Sequence, residues 1–230
     1  VGGVYKPNEN TSIYAQYSTA QDAIQSLLTA SNPDLDLAKG EQYEVGIKQQ
    51  LLDGRFEYTV SLFDITKNDL ISADRGGVQR QIGKQSSKGA EFEVFWLPLD
   101  VLSVELNFAY ADPEYDEFVS GSNDFSGNTP RGVPEKTGNL WLTWQLLPDW
   151  ALSGGARYVS ERYLNDANTA KLPDYTVYDA TLQWQASDSL RLSLRGKNLG
   201  DTDDYVLAPY GDQWILGDGR TVELGLNYAF

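Results

Sequence analysis

The 230-residue chain contains no cysteine, no histidine and no methionine. Without cysteine there are no disulfides and no thiolate metal sites. Without histidine the commonest metal ligand and the usual general base are missing, so histidine-based triads and zinc-protease chemistry are excluded for this segment. No run of 18 or more apolar residues occurs, which excludes a transmembrane helix. Basic residues are also in short supply, with 18 Lys and Arg against 33 Asp and Glu and a net charge of −15. A phosphate backbone would be repelled, and no nucleic-acid partner is expected. The opening VGGVYKP carries neither an initiating methionine nor the pattern of a secretion signal. It reads as the middle of something, and the expectation is a processed or excerpted piece.

What the chain does have is alternation. Period-two patterning recurs throughout, and the helical period is nearly absent. The segment LRLSLRGK sets Leu190, Leu192 and Leu194 against Arg191, Ser193, Arg195 and Lys197. YDATLQWQ, ALSGGARYV, VLSVELNFAY, KGAEFEVFW, RFEYTVSL, EQYEVGIKQQL and TSIYAQY repeat the pattern, and GNLWLTWQL follows it with Trp141 as the exception. With the short VGGVY this makes about eleven strands. The connections alternate too. KPNEN, LLDGR, LPLD, LPDW and ASDS are tight and rich in turn formers. Residues 19–39, 66–87, 111–136, 160–174 and 199–219 are long and polar. The one helical hint, QDAIQSLLTA, falls in the first long loop.

A soluble β-sandwich or lipocalin-like barrel would also alternate. Three features favour a membrane barrel. The polar face carries Arg, Lys, Glu and Gln in strand after strand, which suits a wet lumen. Aromatics recur near strand ends, at Trp96, Tyr110, Trp150, Tyr158, Trp184 and Tyr228, as interfacial girdles require. The strands are long enough to cross a bilayer when tilted. The expected fold is therefore all-β, an antiparallel transmembrane β-barrel. Eleven antiparallel strands begin and end in the same direction, whereas bacterial single-chain barrels have even strand numbers. The strands are thus expected to be part of a larger barrel.

The chain ends TVELGLNYAF, with Val222, Leu224, Leu226, Tyr228 and Phe230 on one face. Glu223, Gly225, Tyr228 and Phe230 resemble the C-terminal assembly signal of bacterial outer-membrane proteins. That resemblance implies recognition by the barrel-assembly machinery through strand pairing.

Five stretches resemble the TonB-dependent outer-membrane receptors, especially the ferric-siderophore branch. They are LAKGEQYEVGIKQQLLDGRFEYTVSLFDITKNDL, SSKGAEFEVFWLPLD, TPRGVPEKTGNLWLTWQL, RGKNLGDTDDYV and GDGRTVELGLNYAF, in the family's order. The resemblance implies that residues 1–230 are the C-terminal half of a 22-stranded barrel in the bacterial outer membrane, against lipid and lipopolysaccharide. It further implies a ferric siderophore as cargo and TonB as energy source, acting through a plug absent from this segment. One departure stands in VPEKTG, where the family usually carries a His and this chain has Glu135 and Lys136. Receptors for cobalamin, haem or a saccharide, or a structural or adhesive barrel, are the alternatives.

Siderophore receptors bind their cargo in an aromatic and basic vestibule, so loop-proximal rings and guanidinium groups are the candidates: Tyr115, Arg131, Arg162, Tyr163, Tyr205, Tyr210 and Trp214, with Phe118 and Phe125 nearby. Aromatic faces can pack the organic shell, and Arg can pair with anionic oxygens. Tyr210 and Trp214 in APYGDQW stand out as rings in a polar loop. Glu91, Glu93 and Glu105, with Arg157, Arg191, Arg195 and Lys197, are expected to face the lumen. The acidic runs 112–117 and 200–204 lack EF-hand spacing and read as solvated loops. No catalytic constellation, metal site or resident cofactor is expected.

Overall fold

In the computed structural model of the chain, an unbroken antiparallel meander of eleven strands forms one curved wall. The structure describes residues 1–22, 37–73, 79–203, 205–210 and 213–229. Numbered in chain order with the short strands included, the wall consists of β1 (Gly2–Asn8), β2 (Thr11–Asp22), β3 (Ala38–Leu51), β4 (Phe56–Ala73), β5 (Gln79–Leu99), β6 (Leu102–Glu117), β9 (Lys136–Leu147), β10 (Trp150–Val159), β13 (Tyr175–Ser187), β14 (Leu190–Lys197) and β17 (Thr221–Tyr228). Three short hairpins lie between them: β7 (Val119–Ser120) with β8 (Asn123–Asp124), β11 (Arg162–Tyr163) with β12 (Lys171–Leu172), and β15 (Val206–Tyr210) with β16 (Gln213–Leu216). No helix among the described residues is long and apolar enough to cross a membrane.

The strand pairing converts alternation along each strand into continuous rows across the wall. One row runs Ile13, Ile47, Val60, Phe92, Phe108. A second runs Leu102, Trp144, Leu152, Leu182, Leu194, Leu224. These side chains do not meet one another in a dry centre: Leu62, Leu152, Leu194 and Leu226 are exposed, and Leu224 is 87% exposed. An apolar surface this continuous is far larger than a water-facing protein tolerates, and in a barrel it is the face that lipid covers. Rings flank it at both ends. Trp150 stacks on Trp184 with centroids 5.2 Å apart near the tight turns, while Tyr43, Tyr110 and Tyr158 lie towards the long loops. Trp150 begins β10 and Tyr158 is its last residue but one. Their separation is about 26 Å along a strand and about 20 Å along the membrane normal at the usual tilt, close to the apolar band of such barrels.

The opposite face is wet. Tyr14 Oη and Gln16 Nε2 each donate to Glu44 at 2.8 Å, Asn139 Nδ2 donates to Asn107 Oδ1 at 2.8 Å, and Lys197 pairs with Glu223 at 2.7 Å. The expected lumen charges all lie on this face, but segregated. Glu91, Glu93 and Glu105 sit on β5 and β6 beside Glu44 and Glu57, whereas Arg157, Arg191, Arg195 and Lys197 sit on β10 and β14. Trp141, the break in the apolar alternation, also faces inward, opposite Gly155. A Cβ on Gly155 would lie 2.0 Å from the Leu140 carbonyl oxygen and 2.6 Å from the Trp141 ring, so only glycine permits this approach.

Two boundaries differ from expectation. Residues 66–87 and 111–136 read as loops, yet β4 runs to Ala73, β5 starts at Gln79 and β6 continues to Glu117. Beyond the lipid both faces of a strand are in water, so pairing continues after the apolar contrast has ended. Of the helical hint at 21–30, Gln21 and Asp22 end β2 and the rest lies outside the described residues.

The two-faced wall makes a sharp prediction for neighbouring positions. Leu142→Arg on the lipid side should cost about 2–4 kcal/mol in equilibrium unfolding of the full-length protein from lipid vesicles. Thr143→Arg, on the wet side, should cost less than about half of that. Equal costs would mean that both faces meet the same medium.

Candidate functional site

All five tight turns lie at one end of the wall, and the strand ends joined by the other five connections lie at the opposite end. There the β6–β9, β10–β13 and β14–β17 connections form a mouth and are tied together. Asp166, in the β10–β13 connection, is the first tie. Its Oδ1 accepts from Tyr115 Oη at 2.9 Å, its backbone oxygen accepts from Asn128 Nδ2 at 2.8 Å, and Arg131 Nε lies 3.9 Å from Oδ2. Asn168 adds a reciprocal pair with Thr129, accepting its N–H at 2.9 Å and donating to its carbonyl at 2.8 Å. Tyr115 is buried and stacks on Phe118 at 4.4 Å, and Phe118 tilts against Phe125 at 6.2 Å.

Arg162 is the second tie. It is 4% exposed, and its Nη1 and Nη2 donate to the carbonyls of Leu207 (3.0 Å) and Val206. Its guanidinium lies 5.6 Å from the centroid of the Tyr175 ring, while Nε is buried without a partner. Burial depresses the Arg162 pKa, but an arginine starts so high that it stays charged. The group therefore fastens the β15–β16 hairpin to the β11–β12 hairpin. Beneath it, Tyr175, Val177 and Tyr205 form a small dry cluster on the inner face, with Val159 packed against it and Tyr175 and Tyr205 4.8 Å apart.

Asn198 closes the base of the last connection. It is fully buried with φ of 49°, a left-handed conformation that Asn tolerates. Its Nδ2 donates to the carbonyls of Thr202 and Asp218, its Oδ1 accepts from Thr202 N, and its own N–H reaches Asp179 Oδ1 at 2.8 Å.

A bilayer-crossing wall with a bound set of loops at one end agrees with comparison to known proteins. Residues 1–199 match the family described as TonB dependent receptor-like, beta-barrel. The chain belongs to that family. The TonB-dependent receptor chain is 30% identical to the ferrioxamine receptor of Yersinia enterocolitica over 99% of its own length and 32% of that protein's. It is 24% identical to the probable TonB-dependent siderophore receptor PiuA of Acinetobacter baumannii, over 100% of this chain and 33% of PiuA. The crystal structure of PiuA superimposes with a TM-score of 0.87 at 26% identity, covering 99% of this chain and 35% of that one. The chain thus spans about a third of the length of these relatives. It is an outer-membrane β-barrel chain, as its relatives are.

The candidate residues of this receptor chain divide by environment. Tyr115, Arg162 and Tyr205 are buried among the loops. Tyr163 is half-buried with Lys171 Nζ 5.1 Å from its ring centroid. The Arg131 side chain is 54% exposed. Trp214 is 54% exposed on β16, and Leu207, Ile215 and Leu216 beside it are exposed as well. The β15–β16 hairpin thus presents an apolar patch wider than one tryptophan. Tyr210 pairs with Gln213 at its tip; its side chain, like all of Phe230, lies outside the described residues. Glu223, Gly225 and Tyr228 lie on β17, which among the described residues pairs with β14 alone. Asn198, Asp166, Asn128 and Asn168 were not singled out by sequence. The Asn-Leu-Gly-Asp run at 198–201, rich in turn formers, is a signal that could have pointed to the first, but nothing local announced the others' distant partners.

Arg162→Met should release the β15–β16 hairpin. Loss of two charge-assisted bonds, at about 1.5–3 kcal/mol each, should speed amide exchange in residues 205–217 by at least about a hundredfold, while exchange in β9 and β10 stays slow. Unchanged exchange would show that the hairpin is held by something else.

Proposed function

We propose that residues 1–230 are the C-terminal part of a 22-stranded TonB-dependent receptor that imports a ferric siderophore. What carries this reading is the interlocked, partly apolar loop mouth above a polar inner wall, in a chain of this family. The relatives named for siderophores, PiuA and the ferrioxamine receptor, support the cargo class. The edges β1 and β17 pair with strands of the remaining barrel, since an unpaired edge in lipid leaves backbone groups unsatisfied. Energy reaches the cargo from TonB through a plug domain. Iron is cargo, and the protein does no covalent chemistry on it.

In this reading the candidates share the work. Trp214, Tyr210 and Arg131 meet the chelate directly: rings pack its organic shell, and the guanidinium pairs with anionic oxygens. Tyr115, Arg162, Tyr163 and Tyr205 hold the loops that carry them. Glu223, Gly225, Tyr228 and Phe230 present the last strand to the barrel-assembly machinery, and the apolar face meets lipid and lipopolysaccharide.

Trp214→Ala and Arg131→Gln should each lower uptake by iron-starved cells about tenfold at limiting chelate, equivalent to about 1.4 kcal/mol of lost binding. The measurement is radioiron uptake across a panel of ferric siderophores at matched surface levels of receptor. Undiminished uptake of every chelate would remove both residues from the mouth.

A further inference from the structure

The mouth is short of positive charge that a ligand can use. The three tied connections, residues 118–135, 160–174 and 198–220, hold ten acidic and four basic residues. The other two, residues 23–37 and 74–78, add three acidic and one basic. Each basic group of the tied connections is already engaged. Arg162 is buried against the carbonyls of Val206 and Leu207. Lys171 pairs with Glu161, Arg220 pairs with Asp201 at 2.7 Å, and Arg131 lies beside Asp166. On the strand ends below, Lys39 and Lys88 stand 3.3 Å and Lys84 3.9 Å from an aspartate. Four exposed carboxylates, by contrast, form no ion pair among the described residues: Glu135, Asp174, Asp203 and Asp218. A field of one sign over an entrance sorts ligands by charge, and salt weakens it.

One pair within this balance is placed to decide the sorting. Arg131 Nε is 3.9 Å from Asp166 Oδ2, too far for a hydrogen bond, and Arg131 donates no other among the described residues. Its donors therefore stay open to a chelate oxygen while the neighbouring carboxylate cancels its charge. Asp166 is held in place for this. Tyr115 Oη donates to its Oδ1 at 2.9 Å, and Asn128 Nδ2 donates to its backbone oxygen at 2.8 Å. The Asp166 side chain is 19% exposed against 54% for Arg131, so water and salt screen it poorly. It is a fixed and largely covered negative charge, set beside the loosest-held guanidinium of the mouth.

We propose that Asp166 sets the charge selectivity of the mouth: by cancelling Arg131 it leaves the entrance net negative, so that the cargo is a ferric chelate with no net negative charge. Three hydroxamates, with one negative charge each, balance Fe³⁺ and give a neutral chelate. Three catecholates, with two each, leave a triply anionic one, which this entrance turns away. A pendant ammonium on a hydroxamate chelate meets the unpaired carboxylates and the exposed Trp214 ring. The inference rests on the transport reading and adds to it which chelates are carried. Asp166 acts on the chelate through Arg131 and the field, as a positioning residue.

The test holds the organic shell constant and varies charge. The probes are ferric complexes of one trihydroxamate with its pendant amine free, acetylated or succinylated, hence cationic, neutral or anionic, together with a ferric tris-catecholate. Binding to full-length receptor in detergent is read by quenching of tryptophan fluorescence, at low and at high ionic strength. Wild type should bind the cationic and neutral forms at least about tenfold more tightly than the succinylated one, and high salt should shrink that ratio to about threefold or less. Asp166→Asn keeps an acceptor for Tyr115 and removes the charge. It should shrink the ratio at low salt as well, with tighter binding of the anionic form; Asp166→Glu should restore the preference, and Arg131→Gln added to Asp166→Asn should cancel the gain. Equal or tighter binding of the succinylated form by wild type would overturn the proposal. So would a preference that salt does not change, or an Asp166→Asn variant that weakens all the forms alike, which is the signature of a purely structural role. Tight tris-catecholate binding by wild type would overturn it and leave the transport reading standing; failure to bind any ferric chelate would remove both.

Discussion

Everything in this chain follows from the cost of leaving a peptide group unbonded in hydrocarbon. Such a group costs several kcal/mol, so a strand in lipid must be paired along its whole length. The meander meets that demand with the simplest topology available, each strand of the wall bonded to the wall strands before and after it in the chain. Once the backbone is committed to the ladder, alternate side chains point to opposite media, and composition must follow. Leucine, valine and tryptophan fill one parity, while glutamate, glutamine, serine and arginine fill the other. The modest overall share of apolar residues, 41%, is what a wall with one wet face requires.

At the mouth the constraint relaxes and a different kind of cohesion takes over. There is little apolar area to bury between loops, apart from the Tyr115–Phe118–Phe125 rings and the Tyr175–Val177–Tyr205 cluster. Order comes instead from buried polar groups that reach across connections, chiefly Asp166, Asn168, Asn198 and Arg162. Partly buried bonds of this kind are directional. They set the relative positions of three loops while leaving outward-facing rings such as Trp214 without a protein partner to cover them.

These two regimes explain what could be read in advance. Strand number, facing and the ring girdles were legible because lipid imposes a period-two contrast that local sequence must carry. The ends of β4, β5 and β6 were not, since residues such as Thr66, Lys67 and Ser86 pair in a ladder with water on either side. Trp141 looked like an error in the pattern until Gly155 was seen beneath it. At the mouth, residue type pointed to Tyr115, Arg162 and Tyr205 as chelate-binding candidates, and the structure buries all three among the loops. Their partners could not be read, because Tyr115 and Asp166 are separated by 51 positions and Arg162 and Leu207 by 45. Asn198 escaped notice because a buried asparagine and a solvated turn asparagine have the same local sequence.

The sequential order of the eleven wall strands has a consequence for how the wall is made. Within the eleven-strand wall each closure spans one connection, and its entropy cost grows only slowly with the length of that connection; the parallel contact of β7 with β4, Ala73 beside Ser120, is made among the loops. Contacts of low separation favour rapid formation, and the meander can zip one hairpin at a time from whichever edge is seized first. β17 offers such an edge, with Thr221 to Tyr228 paired on one side only. Growth from there would run against the direction of synthesis, so that within this chain the strands made later on the ribosome are inserted before those made earlier.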